Sequence, residues 1–345
     1  MATPEAVRPV STRPRATGFR CHCSRSARLP IAHAFVVIID LLCLQKVSLT
    51  DTFCKRNVHH VLRYAPTSGV EILMPTPSTR GQIARWVDGL AAQGRSTFTT
   101  TDVQSETGGT NAARKLALNR LVRKRLVFQP HHNFYVVVPP EYRQLGAPPP
   151  LSYIDALMRF LALPYYVGLL SAAAFYGAAH QAPQQFQVCT SRPLRRLTRG
   201  PVQILWFVKK TVAMSPVHER TTPNGYVRIS TPESTALDLV QYAQHAGHLS
   251  HVATVLNELR ESLTYHEMLA ALDASKVPAA AQRLGFLLSE ANTAQSPAID
   301  ALEHWLSNTP HTTVPLQRGT ATENFPLDSR WRVVINTVIE PDGDA

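Results

Sequence analysis

Four polar residues, Asn111, Arg114, Lys115 and Asn119, are spaced so that an α-helix would carry them on one side. At about 100° per residue they fall within an arc of about 140°. Arginine can donate two hydrogen bonds to guanine, and asparagine can make two with adenine. These residue types at this spacing are typical of a helix that reads base edges in the major groove of DNA.

The residues around these four are basic. Residues 110 to 139 contain six Lys or Arg and no Asp or Glu, although the whole chain has 24 acidic residues against 35 Lys and Arg. Basic side chains attract DNA phosphates without regard to base sequence, and this attraction weakens as salt is added. The predicted DNA-binding residues are Thr110, Asn111, Arg114, Lys115, Asn119, Arg123, Lys124, Arg125, His131 and His132.

Three helices and a hairpin are needed to position these residues. The apolar spacing in residues 79 to 94 predicts a first helix, Thr100 or Thr101 can cap a second, and Thr110 can cap a third. Two β-branched and aromatic runs around "PHH" predict a hairpin. This is the element order of a winged helix-turn-helix, in which the third helix lies in the major groove. On the third helix, the side expected to be buried consists of Ala113, Leu116, Ala117 and Leu121, although Leu118 and Val122 interrupt the polar side.

Two alternatives remain for this region. A winged helix can serve protein contacts, and its basic run would then be the solvated end of a helix. His131 and His132 at the predicted turn would contact phosphate or the minor groove, or would be exposed turn residues without a ligand.

Composition divides the chain into four parts. Residues 1 to 73 contain four of the five cysteines and a charge balance of +6, from ten Lys or Arg and four Asp or Glu, out of a net +11. We interpret them as a poorly ordered extension or as upstream sequence read into the protein. A winged helix at 74 to 139 and a Pro-rich linker at 140 to 150 follow. Residues 151 to 345 form a larger mixed α/β domain.

The larger domain is predicted to have its strands early and its helices late. An Ala-rich, almost wholly apolar helix, with Leu169, Ala173 and Phe175 in the core, precedes strands in "QFQVCTS", "VQILWFVKK" and "GYVRIST". A helix capped by Thr231 with Pro232 at its first position follows, then four more helices and a final strand in "WRVVINTVIE". This arrangement favours an α+β fold over a doubly wound sheet.

A second basic cluster lies in this domain. Residues 156 to 218 again contain no acidic residue. The cluster consists of Arg192, Arg195, Arg196 and Arg199. It could bind RNA, DNA or an acidic protein surface, or it could be a flexible solvated loop.

Metal and membrane sites are not indicated. The "CHC" at 21 to 23 has no second ligand pair at a suitable distance, so we expect no metal. The apolar run at 31 to 47 contains His33 and Asp40 and is shorter than the about 20 residues of a membrane helix. A single cysteine, Cys189, after residue 73 is typical of a reducing compartment, so we predict a cytoplasmic protein.

An enzyme is the main alternative class, because some nucleases join a DNA-reading module to an α/β domain. Metal-dependent nucleases need clustered carboxylates, often with a nearby Lys. Asp328 and Glu340 flank the predicted last strand, but no Lys accompanies them. The sequence also has no P-loop, nucleophile elbow or HExxH motif. We therefore expect no catalytic residue and no cofactor.

Three blocks of the larger domain carry a resemblance to a known family. They are "YYVGLLSAAAFYGAAHQAPQQFQVCT", "STPESTALDLV" and "RWRVVINTVIEPD". After a predicted winged helix, this order resembles the AbiEi family, antitoxins of bacterial type IV toxin–antitoxin systems. The resemblance covers roughly residues 79 to 341. In the first block, the recurring residues Tyr165, Tyr166, Ser171, Gly177 and His180 are interpreted as packing residues.

The resemblance implies two activities and a role in phage defence. The winged helix would bind inverted repeats in the promoter and repress the operon. The C-terminal domain would counteract a neighbouring nucleotidyltransferase toxin, often without a stable complex. A transcription factor whose C-terminal domain senses a ligand or dimerises is the third possibility, and the oligomeric state is left open.

Overall fold

A computed structural model of the chain describes residues 81–178, 184–291 and 296–340. The extension predicted at 1 to 73 lies outside these ranges, as does His180. Within the described part, the chain combines helices with mixed sheets, and the expected α+β class is confirmed.

Residues 81–137 form three helices and a small antiparallel sheet in the order β1-β3-β2. The elements are α1 Gln82–Ala92, β1 Thr97–Thr99, α2 Thr100–Glu106, α3 Asn111–Arg123, β2 Val127–His131 and β3 Phe134–Val137. The predicted hairpin is therefore confirmed, and so is the Thr110 cap, whose Oγ1 accepts from the Ala113 amide at 3.3 Å. The predicted cap of α2, Thr100 or Thr101, is one or two residues too late. Thr99 caps this helix and forms a reciprocal capping box with Asp102.

An aromatic stack forms the centre of this N-terminal part. Phe98 contacts Trp86 edge-on and Tyr135 face-on, with ring centroids 5.2 and 5.3 Å apart. Leu118 of α3 completes this core at 2% exposure, whereas Leu116 is 52% exposed. The predicted orientation of α3 is therefore wrong at Ala113 and Leu116, which are both exposed. Because apolar residues lie on every side of this helix, their spacing in the sequence did not show which of them contact α1.

The segment at 140–150 contacts both of its neighbours. Arg125 donates to the carbonyl of Gln144 at 2.6 Å, and Ala147 is buried. Beyond it, the Tyr153 ring packs on Phe128 of β2, and Phe134 of β3 packs on Phe160. The hairpin thus shares a hydrophobic core with the larger part of the chain.

A six-stranded mixed sheet is the centre of the larger part, with strand order β6-β7-β5-β4-β9-β8. Its strands are β4 Tyr165–Val167, β5 Phe186–Thr190, β6 Leu197–Arg199, β7 Val202–Val208, β8 Val217–Thr222 and β9 Gly225–Ser230. Strands β5 and β7 run parallel, as do β4 and β9. The predicted strands β5, β7 and β9 are confirmed, whereas β4, β6 and β8 are not predicted from the sequence.

The Ala-rich segment is shorter as a helix than the sequence predicts. The helix α5 spans only Leu169–Ala173, and strand β4 precedes it. Two tyrosines and a valine favour a strand, and Gly168 separates them from the helix. Leu169 and Ala173 are buried as predicted, but Phe175 is 41% exposed and does not belong to the core.

Helices cover both faces of this sheet. Short helix α4, Ile154–Phe160, and the N-terminal hairpin pack on the face that carries Val167 and Ile204. The other face meets the helices α6 Pro232–Gln241, α7 His248–Leu259, α8 Tyr265–Ser275, α9 Pro278–Ala291 and α10 Pro297–Ser307. All five of these helices are predicted by the sequence, including the Thr231 cap and Pro232 at the first position of α6.

The chain ends in a minimal three-stranded sheet. It consists of β10 Val314–Pro315, β11 Leu327–Asp328 and β12 Val333–Val334. The long final strand predicted from the sequence is therefore only two residues. Across residues 81–178, 184–291 and 296–340, no helix combines the length and the apolar character that crossing a membrane requires.

Candidate nucleic-acid interface and antitoxin domain

The exposed side of α3 carries most of the predicted groove-facing residues. Asn111, Lys115 and Asn119 are exposed, and Arg123 continues this side one turn further along. Sequence reasoning left out Arg120, which is exposed as well. These side chains are therefore available to a ligand that approaches α3 from solvent.

Arg114 differs from its neighbours because its guanidinium makes intramolecular hydrogen bonds. It is half-buried and donates to the Gly109 carbonyl at 2.7 Å and to the Asn111 side chain. These bonds hold the Gly turn against the start of α3. Arg114 would have to release at least one of these two hydrogen bonds before its guanidinium could contact a base.

The cations of α3 lack acidic partners. Within the described ranges, no carboxylate lies within ion-pair distance of Lys115, Arg120, Arg123 or Lys124. Because no described carboxylate neutralises these charges, they remain available to attract phosphate groups.

Two of the remaining predicted DNA-binding residues, Arg125 and His131, make intramolecular contacts. Arg125 lies along Gly146 and donates to Gln144, as described above. His131 and His132 are exposed at the turn of the hairpin, and the His131 ring lies 6.0 Å from the Phe160 ring. The structure therefore groups the α3 residues on one side and holds Arg125 and His131 beside the larger part of the chain.

The second basic cluster lies at one edge of the six-stranded sheet. Strand β6 is the edge strand, and the four arginines in and before it are all exposed. Arg196 donates to Gln203 at 2.8 Å, and the Arg195 carbonyl accepts from the Trp206 indole at 3.1 Å. The Trp206 bond and the pairing of β6 with β7 hold the backbone of this segment, so the cluster lies along an ordered sheet edge.

A buried polar network at the centre of the larger part was missed by sequence reasoning. Lys209 Nζ donates to Asp238 Oδ1 at 2.8 Å and to the Tyr166 hydroxyl at 3.0 Å. The Tyr166 hydroxyl donates to Asp238 Oδ2 at 2.6 Å, and the Cys189 thiol lies 3.9 Å from the same oxygen. The four residues come from β4, β5, the end of β7 and α6, so the network joins the sheet to the helical layer.

Burial determines the protonation of this network. Desolvation, and after it the Asp238 charge, raise the pKa of the Tyr166 hydroxyl and of the Cys189 thiol well above their ordinary values. Both groups therefore stay protonated at neutral pH, and Asp238 is left paired with Lys209. No side chain in this network is positioned to meet a substrate, because all four residues are buried.

The other residues of the Ala-rich block also pack inside the fold. The Tyr165 hydroxyl donates to Asp155 at 2.9 Å, and the buried Ser171 hydroxyl accepts from the Gln187 amide at 2.9 Å. Gly177 has a φ of 76°, which favours glycine, and it ends the helical turn after α5. These contacts agree with their interpretation as packing residues.

Comparisons with known proteins bear on the larger part of the chain. A crystal structure of the RV2827C protein from Mycobacterium tuberculosis is similar in fold, with a TM-score of 0.52 and 17% identity over 73% of this chain and 90% of that chain. No curated protein matches the sequence. Residues 166–290 match the family model described as AbiEi antitoxin C-terminal domain. This segment, which contains the buried network and the arginine edge, is similar to AbiEi antitoxin C-terminal domains, and the match confirms the resemblance to the AbiEi family of antitoxins.

Proposed function

We propose that the chain is the antitoxin of a type IV toxin–antitoxin system and the repressor of its own operon. In this proposal, residues 74 to 139 are a winged helix that binds inverted repeats in the promoter. Residues 151 to 345, beyond the linker, counteract a nucleotidyltransferase toxin without a stable complex. The chain would act in the cytoplasm by binding rather than by catalysis, and it would need no cofactor.

One observation supports the DNA-binding part of this proposal. The antitoxin domain is preceded by a helix whose exposed side combines Asn119 with cations that have no acidic partner in the described part of the chain. The element order before and after that helix is the order of a winged helix. Arg120, Arg123 and Lys124 would contact phosphates, while Asn111, Lys115 and Asn119 would face base edges.

The arginine edge supports the antitoxin half. Four exposed guanidinium groups in and before the edge strand β6 present hydrogen-bond donors that suit carboxylates or phosphates. We propose that this edge contacts the toxin or the nucleic acid on which the toxin acts. A gene for a nucleotidyltransferase next to the gene for this chain would identify the cognate toxin.

Binding to the upstream promoter region tests the DNA-binding half. The full chain is titrated with a promoter duplex and with a scrambled duplex of equal length, each at two salt concentrations. We expect a preference for the promoter that persists at the higher salt, because base contacts do not depend on counterion release.

Two variants sharpen this test. Lys115→Ala combined with Asn119→Ala should remove the preference for the promoter, and Lys210→Ala, at an exposed lysine outside α3, should not. Equal affinity for both duplexes in the unmodified chain would mean that α3 is only an electrostatic patch. The repressor half of the proposal would then be rejected.

A further inference from the structure

A pocket of about 420 Å³ lies beside the antitoxin domain's buried network, away from α3 and from the arginine edge. It is bounded by the end of α6, the start of α7, the middle of α9 and two segments near the end of the described chain, 316–319 and 337–338. Its lining contains two arginines and two histidines but no Asp or Glu. The two arginines give the lining of this pocket a positive charge.

Arg283 is the residue that makes this pocket unusual. It is only 4% exposed, yet no carboxylate in the described ranges pairs with it. Its Nε donates to the Pro315 carbonyl at 2.7 Å and its Nη1 to the Ala279 carbonyl at 3.3 Å. Among the described residues, its Nη2 has no hydrogen-bond partner. A buried charge without a counter-ion is costly, so its retention calls for an anion.

Arg318 adds a second guanidinium at the same place. Burial, and after it the charge of Arg318, lower the pKa of Arg283 to about 10. Arg318 is exposed and has no hydrogen-bond acceptor within the described part of the chain. Two guanidinium groups that repel one another across a pocket are the arrangement that a bound oxyanion stabilises.

The start of α7 supplies uncharged donors to the same pocket. His248, Leu249 and Ser250 form the first turn of this 12-residue helix and line the cavity. Gly247 precedes them without a side-chain cap, so the first amides of α7 are not satisfied by a capping side chain. Amides and the helix dipole at this end favour a negative charge.

We propose that this pocket binds a small molecule that carries a phosphate group. Arg283 and Arg318 hold the phosphate oxygens together with the first turn of α7, and the organic part rests on Leu249, Leu316 and Val338. The volume suits a compound of mononucleotide size, below the upper range of small-molecule pockets. This site is independent of the DNA-binding and antitoxin surfaces proposed above.

Calorimetric titration of the full chain in chloride buffer of constant ionic strength tests the proposal. The probes are inorganic phosphate and the four ribonucleoside 5′-monophosphates. We expect binding of at least one probe and a loss of about tenfold or more in affinity for Arg318→Gln, since a charged hydrogen-bond partner is removed. Arg143→Gln, which changes an exposed arginine outside the pocket, should bind as the unmodified chain does.

The two probe types separate the two sources of phosphate. Equal affinity for inorganic phosphate and for a mononucleotide supports a free phosphate ligand, and a clear preference for a mononucleotide supports an organic one. Thermal unfolding of each variant checks that the fold is intact. We choose Arg318→Gln because Arg318 is exposed, so its substitution should not disturb packing.

Two results would overturn the proposal. The first is no binding of any probe at millimolar concentration, and the second is equal binding by the unmodified chain and Arg318→Gln.

Discussion

At the scale of single residues, Lys209 and Asp238 form the pair on which the larger part of the chain depends most. Lys209→Met would leave the Asp238 carboxylate buried without its counter-ion. We expect the free energy of unfolding to fall by about 3–5 kcal/mol, the usual cost of breaking a buried pair. Urea denaturation followed by circular dichroism measures this change.

A double variant provides the control for this pair. Lys209→Met with Asp238→Leu removes both charges, so it should recover a substantial part of the lost stability. A loss well below 1 kcal/mol in Lys209→Met alone would show that the pair is not desolvated as the structure indicates.

Gly285 is a second residue whose substitution should have a measurable effect on stability. A Cβ at this position in α9 would lie 2.3 Å from the Trp331 ring, which is buried and donates to Ser289. Gly285→Ala should therefore destabilise the chain by about 1–3 kcal/mol through overpacking. The matched control is Gly89→Ala in α1, where no atom lies within 4 Å and helix propensity predicts a gain of about 0.5–1 kcal/mol. Equal effects of the two substitutions on the urea midpoint would contradict the packing of Trp331 on α9.

Sequence alone could not reveal either of these sites. Lys209 and Asp238 stand 29 positions apart, in segments with no motif that links them. Gly285 lies inside a helix pattern where a glycine is merely tolerated, and Trp331 is far along the chain. Both contacts arise from tertiary packing, which residue types and local spacing do not encode.

At the scale of elements, the charges at the end of α3 determine how strongly DNA affinity should depend on salt. Arg123 and Lys124 lie there, and we assign them to phosphates rather than to bases. Each phosphate contact contributes about 0.9 to the slope of log affinity against log salt, so replacing both with Ala should reduce that slope by roughly 2. Affinity for promoter and scrambled duplexes should fall together. An unchanged slope would place these two side chains away from the DNA.

The elements also show where sequence patterns succeed. The helices α6 to α10 have clear apolar spacing and good caps, and the structure contains all five. Strand β4 is three residues long inside an apolar run, and β8 is mostly exposed, so neither shows an alternation that identifies a strand. The prediction of the buried side of α3 was wrong because Leu116 and Leu118 are equally apolar, so the pattern did not show which of them is buried.

At the scale of the whole molecule, the hairpin and the sheet share one hydrophobic core. Phe128 and Phe134 of the hairpin pack on Tyr153 and Phe160. Residues 151 to 345 expressed alone would expose this surface to water, even though the sequence suggests that they act independently. Point substitutions in the full chain are therefore the better way to separate the two proposed activities.

Growth rescue is the measurement that tests the central claim most directly. Cells express the proposed nucleotidyltransferase toxin from an inducible promoter and the full chain from an unrelated one. We predict that the unmodified chain and Lys115→Ala/Asn119→Ala restore growth, whereas Arg192→Ala/Arg199→Ala does not, since only the last variant changes the arginine edge. Growth arrest that persists with the unmodified chain, expressed and folded, would contradict the antitoxin assignment itself.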